Sequence, residues 1–292
     1  MSSPSLRVRA PAKLNLFLHV TGQRADGYHT LQTVFTMIDF CDVLDLGVLE
    51  DGQIHHRNPL PGVEPESDLT IRAARLLQRE SGISLGATVG IEKRIPMGGG
   101  LGGGSSDAAA ALLGLNQLWK LDWPRDRLAG LGARLGADVS FFVFGQSAWA
   151  EGVGEVLTPL KVPAWWYVVL TPDAHVPTPF VFGHPDLTRN TPPLKIADFS
   201  ASGLGVMRND LQPVVLKAFP KVAHALDALD RAAAQLSIFG ARMTGSGACV
   251  FAAFETEQAA RETLEKLKPE VQGFVAQGMA RHPFDRQGQK EQ

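Results

Sequence analysis

Apolar residues occupy every second position near the start of the chain: Leu6, Val8 and Ala10, then Leu14, Leu16 and Leu18. That period of two predicts a strand over residues 6–20. A polar turn with Asp26-Gly27 follows, and strand-like patterning resumes over 28–38 and 43–49. Residues 52–65 are polar and broken by Pro and Gly, which predicts a loop with room for one short strand. The period then changes. Leu69, Ala73, Leu76 and Leu77 share one face at helical spacing, and Ser67 or Asp68 can cap a helix over 68–79.

Further along, the pattern predicts a strand over 88–95, an Ala/Leu-rich helix over 108–119 and a second helix over 125–135. Residues 136–138 read as a tight connection into strands over 139–144 and 147–151, with a crossover over 152–163. An apolar strand over 165–170 leads into a long Pro-rich segment, 171–193, predicted to be mostly irregular. Two helical stretches part at Pro220 within 211–234; strands over 241–243 and 248–254 flank Thr244-Gly245-Ser246-Gly247; a helix over 256–267 and a strand over 274–279 complete the pattern. This order is α+β rather than a regular βαβ alternation. It predicts an N-terminal half, 1–155, a C-terminal half, 156–284, and a polar tail, 285–292.

Composition narrows the class. The 292 residues are 45% hydrophobic and 20% charged, as in ordinary globular proteins. The net charge of −2 disfavours nucleic-acid binding by bulk charge. No run of apolar residues is long enough for a membrane span or a signal peptide, so the cytoplasm is the expected location. Cys41 and Cys249 lie far apart without metal-ligand spacing and read as buried, reduced thiols. His55-His56 has no carboxylate at metal-ligand spacing and reads as solvated, so no protein metal site is expected.

The chemistry concentrates in Pro96-Met97-Gly98-Gly99-Gly100-Leu101-Gly102-Gly103-Gly104-Ser105-Ser106. Glycine costs backbone entropy, and clustering it between a strand and a helix needs a reason. Close backbone approach to an anion supplies one, reinforced by the positive end of the following helix. A Walker loop would need Gly-Lys-Ser/Thr, and the chain contains no Gly-Lys pair. A dinucleotide fingerprint would need a strand ending in an acidic residue about 20 residues on; that distance falls in Trp119-Lys120-Leu121-Asp122-Trp123-Pro124.

This loop resembles the Pro-x-x-x-Gly-Leu-Gly-Ser/Gly-Ser-Ser motif of the galactokinase, homoserine kinase, mevalonate kinase and phosphomevalonate kinase (GHMP) superfamily. Pro11-Ala12-Lys13-Leu14-Asn15-Leu16 resembles its first motif, and the stretch from Thr244 to Phe251 its third. The resemblance implies an N-terminal lobe like ribosomal protein S5 domain 2, a ferredoxin-like C-terminal lobe, and a site in the cleft between them. Arg24-Ala25-Asp26-Gly27-Tyr28-His29 and Leu135-Gly136-Ala137-Asp138-Val139 narrow it further. They resemble the branch that phosphorylates a tertiary hydroxyl of 4-diphosphocytidyl-2-C-methyl-D-erythritol, in the non-mevalonate route to isoprenoid precursors.

The resemblance implies roles. Residues 96–106 would hold ATP, with Mg²⁺ required by the chemistry and no dedicated metal carboxylate identifiable. Asp138 would be the general base and Lys13 would hold it ionised and stabilise the transferring phosphoryl group. Tyr28, His29 and Phe182 would bind the cytosine, and Asn15 and Thr178 would contact substrate. Asp68 stands where relatives often carry Asn, with no role implied. The expected partner is a small molecule bearing a cytidine diphosphate group, with no nucleic acid or membrane involved; the expected assembly is a monomer or weak homodimer. Another small-molecule kinase of the superfamily, of homoserine or mevalonate type, and a non-enzymatic RNA-binding module are the alternatives at this stage.

Overall fold

The computed structural model describes residues 4–198, 202–267 and 271–287. The alternating N-terminal segment forms β1 (Ser5–Gln23), antiparallel to β2 (His29–Leu49). Both are far longer than the usual strand of about 5–6 residues, and their pairing slips at Pro11/Ala12, Asn15/Leu18 and Val20/Gly22. From Ala10 to Val20 every β1 side chain is buried, so alternation gives way to two covered faces. Beyond β2 the sheet continues through β4 (Gly86–Glu92) to β3 (Ile54–His56), which runs parallel to β4.

Helices cover this sheet. Asp68 caps α1 (Leu69–Ser81) by accepting from the Thr70 and Ile71 N–H groups, and Gly82, at φ 69°, ends it. Then α2 (Gly103–Leu118) packs on α1 and on the sheet, followed by α3 (Arg125–Ala133) and α4 (Ala137–Phe144). A short hairpin of β5 (Ala148–Glu151) and β6 (Val156–Pro159) attaches to β2.

In the second half, β7 (Trp166–Leu170) leads to α5 (Thr178–Gly183), α6 (Gln212–Ala218) and α7 (Pro220–Ala233). They are followed by β8 (Arg242–Met243), β9 (Val250–Phe254), α8 (Glu257–Leu267), β10 (Gly273–Met279) and α9 (Phe284–Gln287). β10 stitches the halves together. Its residues 273–277 pair with β7, and Gly278 and Met279 pair with Ile38 and Met37 of β2. One buried cluster, including Leu14, Leu16, Trp149, Trp165 and Phe251, draws on both halves and flanks the site.

The structure departs from the sequence expectations in places. Residues 139–144, predicted as a strand, are α4. Their apolar run suits a strand by propensity, but Val139, Phe141, Phe142 and Val143 are all buried against α2 and α3, which a helix apolar all round also satisfies. Gly145, at φ 79°, closes α4 by donating to the Phe141 carbonyl. A short strand, β6, lies in the predicted crossover, and α5 lies in the predicted irregular segment. Of the predicted polar tail, residues 288–292 lie outside the described residues. Among the described residues, no helix is long and apolar enough to cross a membrane.

Candidate active site

The glycine run turns through left-handed backbone at Gly98, Gly100 and Gly102, with φ of 71°, 76° and 71°. It lies flat against the Thr244–Cys249 turn of the second half. A Cβ added to Gly100 would sit 2.2 Å from the Thr244 carbonyl oxygen, and the Cys249 N–H donates to the Gly99 carbonyl at 3.1 Å. Gly102 begins α2 without any side-chain cap, leaving the first-turn N–H groups for an outside acceptor. The loop forms one wall of a cleft of about 770 Å³.

Lys13 and Asp138 meet in that cleft, with Nζ 3.5 Å from Oδ2. They arrive from different directions. Lys13 lies mid-β1, is buried, and donates its backbone N–H to the Leu101 carbonyl at 2.9 Å, which fixes it under the glycine loop. Its Nζ also donates to Asn15 Oδ1 and stands 5.2 Å over the Phe35 ring. Asp138 sits in the first turn of α4, where the helix dipole favours a carboxylate. The Asn15 side chain is held at both ends, accepting from Lys13 at Oδ1 and donating through Nδ2 to Thr33 Oγ1 at 3.0 Å, while its backbone N–H donates to Thr244 Oγ1 at 3.0 Å.

The remaining sequence-predicted residues divide. Residues 96–105, Asn15, Thr178 and Phe182 line the cleft. Thr178 Oγ1 is 2.8 Å from Ser246 Oγ, joining α5 to the second glycine turn. Ser106 is fully buried and does not line the cleft; its place is inside the first turn of α2. Tyr28 and His29 lie beside it rather than in its wall. The His29 ring packs on Phe182 at 5.1 Å between centroids, while Tyr28 is 65% exposed.

Sequence reasoning missed a buried ionic triad. Lys93 Nζ lies 2.6 Å from Asp42 Oδ2 and 2.7 Å from Asp107 Oδ2. A Cβ on Gly103 would come within 3.0 Å of that ammonium, so the triad braces the loop from below. Burial, with Asp42 adding to it and Lys93 opposing, pushes Asp107 up to about 7. Burial works against the Lys93 charge, but the two carboxylates outweigh it and its pKa is raised. No sequence signal marked it, since Lys93 stands between Glu92 and Arg94 and Asp107 follows two serines. His56, read as solvated, instead has a buried side chain, with Nδ1 3.6 Å from Asp68 Oδ2; the cap of α1 brings the carboxylate to it. Burial raises the thiols of Cys41 and Cys249 to about 11 and about 12, consistent with inert free cysteines. Among the described residues, no group of three or more His, Cys, Asp or Glu could hold a metal ion.

Comparison with known proteins places this geometry. Residues 68–146 match the model of the GHMP kinases N terminal domain, and residues 194–271 that of the GHMP kinases C terminal. The chain is 58% identical to the 4-diphosphocytidyl-2-C-methyl-D-erythritol kinase of Thiobacillus denitrificans, over 94% of this chain and 96% of that protein. It is 55% identical to the enzyme of that name from Nitrosospira multiformis, over 97% and 94%. A crystal structure of 4-(cytidine 5'-diphospho)-2C-methyl-D-erythritol kinase superposes with a TM-score of 0.80 at 34% identity, covering 94% of this chain and 99% of that one. A homoserine kinase from Cytophaga hutchinsonii shares the fold, with a TM-score of 0.71 at 17% identity over 95% of each chain. This chain therefore belongs to the 4-diphosphocytidyl-2-C-methyl-D-erythritol kinase family of the GHMP kinases.

Proposed function

We propose that this small-molecule kinase transfers the γ-phosphoryl group of ATP to the tertiary, 2-position hydroxyl of 4-diphosphocytidyl-2-C-methyl-D-erythritol. The observation that carries the reading is the Lys13–Asp138 pair, 3.5 Å apart, in one cleft with the glycine loop. Phosphoryl transfer asks mainly for positioning and charge neutralisation, and the cleft offers both.

The backbone N–H groups of the loop and the open first turn of α2 receive the phosphates. The residues fit that task, because left-handed glycines and a packed loop leave no room for side chains between backbone and ligand. Asp138 accepts the proton of the attacking hydroxyl. Lys13 counters the charge spread over the transferring group and keeps the Asp138 carboxylate aimed, itself held by Asn15. Mg²⁺ bound with the nucleotide would supply further neutralisation of the phosphate charge, beside the loop N–H groups and Lys13. Phe182, packed at a tilt against His29, takes the cytosine together with the neighbouring Tyr28. Thr178 reaches the substrate from the C-terminal half of the cleft.

The test is ATP consumption by the purified chain. It should be stimulated by the cytidine diphosphate alcohol, with a new phosphomonoester appearing in the ³¹P spectrum. Cytidine-free alcohols and RNA should leave the basal rate unchanged. Stimulation by homoserine or mevalonate, and none by the cytidine compound, would defeat the reading.

A further inference from the structure

Arg189 ties together the two residues of the His29–Phe182 ring pair. Its guanidinium is anchored by four hydrogen bonds. Nη2 donates to the carbonyls of Phe182 and His184, both at 2.9 Å; Nη1 donates to Leu187 O at 3.2 Å; and Nε donates to His29 Nε2 at 3.0 Å. An arginine has no acceptor, so in the last of these His29 Nε2 must be the acceptor and carry no proton. A neutral imidazole has one N–H, which therefore sits on Nδ1. Burial, and then the Arg189 charge, lower the His29 pKa and keep the ring neutral. Nδ1 makes no hydrogen bond among the described residues and is not a buried orphan. It is a fixed donor beside Phe182, whose ring lines the cleft.

From this the geometry points to Arg189 as a positioning residue that sets base specificity: by locking His29 as the Nδ1–H tautomer, it selects a pyrimidine presenting an acceptor at N3, cytosine, over one presenting N3–H, uracil. This rests on the proposed placement of the base against His29 and Phe182. The selection has an attractive and a repulsive side. Cytosine N3 accepts from Nδ1–H, whereas the N3–H of uracil confronts donor with donor and leaves both unpaired. The same guanidinium holds the Phe182 carbonyl, so tautomer and aromatic face are set by one group. Lysine cannot reproduce the fork.

The tautomer is read directly by long-range ¹H–¹⁵N correlation on ¹⁵N-histidine-labelled protein. Wild type should show His29 protonated on Nδ1 and bare on Nε2 at neutral pH, and Arg189→Met should lose that preference. With the cytidine substrate, Arg189→Met should raise KM about tenfold, more than it lowers kcat. Its cytidine-over-uridine preference in kcat/KM should fall roughly tenfold or more, measured against the uridine analogue. Arg189→Lys should behave like Arg189→Met. A wild-type His29 protonated on Nε2, or an undiminished preference in Arg189→Met, overturns the inference. His29→Ala separates this from failure of the base site. An unchanged KM there removes the site itself, whereas a raised KM with full preference in Arg189→Met removes only the role of Arg189. Should Arg189→Met not fold, the wild-type Nδ1–H resonance decides: it should move on adding cytidine monophosphate and not uridine monophosphate, and equal responses to both overturn the proposal.

Discussion

Replacing Gly100 with alanine tests whether the phosphate loop depends on its contact with the second half of the chain. Gly100 has φ 76°, and an added Cβ would lie 2.2 Å from the Thr244 carbonyl oxygen and 3.2 Å from that of Gly247. Left-handed backbone costs a non-glycine residue about 1–2 kcal/mol. Forcing a methyl group into a packed contact adds about 1–3 kcal/mol. The neighbour cannot yield easily: Thr244 donates its N–H to Cys249 O at 3.1 Å, and its Oγ1 receives the Asn15 N–H at 3.0 Å. Restoring ordinary contact therefore moves the loop by about 1 Å, a displacement that can cost about 10²-fold in catalysis. Gly100→Ala should lose about 2–5 kcal/mol of stability, on the order of 10 °C in Tm, and most of its kcat/KM for ATP. Gly130→Ala is the matched control. Gly130 is exposed within α3, and an added Cβ meets nothing within 4 Å. It should gain about 0.5–1 kcal/mol from helix propensity. Thermal melts and ATP saturation curves of both variants decide the matter. A Gly100→Ala protein with wild-type Tm and wild-type kcat/KM would refute the reasoning.

Four further outcomes are expected. Asp138→Ala should lower kcat by about 10² or more, and Lys13→Met should cripple turnover while leaving the far-ultraviolet spectrum native; wild-type kcat in either removes that residue from the chemistry. Tyr28→Ala should raise KM for the cytidine substrate more than it lowers kcat, and an unchanged KM counts against a stacking role for this exposed ring. His282, fully buried, has its pKa pushed down to about 3 by burial, with Arg125 adding to it. The unfolded chain binds the proton more readily, so stability is full above about pH 6.5 and falls as pH drops toward 3, by up to about 1.4 kcal/mol per pH unit. His282→Asn should flatten that slope in urea titrations between pH 6.5 and 4.

How far the sequence could be read depended on what each signal requires. The glycine loop stood out because glycine before a helix needs a reason; Lys13 in an apolar strand and Asp138 before an apolar run are unusual where they stand, but their pairing was implied only by the resemblance to the kinase superfamily. Helix α1 was legible because its period and its Asp68 cap agree. Helix α4 was not. Val139–Phe144 has strand composition, and only burial between α2 and α3 makes it helical, a fact set by residues distant in sequence. The Asp42–Lys93–Asp107 triad was hidden for the same reason. Each member alone passes for a surface charge, and the sheet brings Asp42 to Lys93 across 51 residues of chain. Arg189 was equally silent, since its four acceptors are three carbonyls and one imidazole, none with a sequence signature.

The site is best understood as a consequence of the path of β1. Lys13 and Asn15 are two residues apart, so their side chains share the cleft face while Leu14 turns into the core. Along the same strand, the Lys13 N–H holds the phosphate loop, the Asn15 N–H holds Thr244 of the second glycine turn, and the Leu18 N–H holds Arg208 of the C-terminal half. Three contacts within six residues thus fix the two glycine turns relative to the catalytic lysine. A slip of one residue in the pairing with β2 would put Leu14 in the cleft and Lys13 in the core. Register shifts at Pro11/Ala12 and at Asn15/Leu18 bracket the segment on both sides. Between them the pairing of Lys13 with Met37 and of Asn15 with Phe35 is set locally, independent of the regular ladder on either flank. Bulges that look like irregularities in a long strand are therefore what keeps the ammonium under the loop, and the second glycine turn is tied to the same strand by the Asn15 N–H on Thr244 Oγ1 and by Arg242 Nη1 on Leu16 O, while the Asn209 side chain holds the turn by donating to Met243 O and Gly245 O at 2.9 and 2.8 Å.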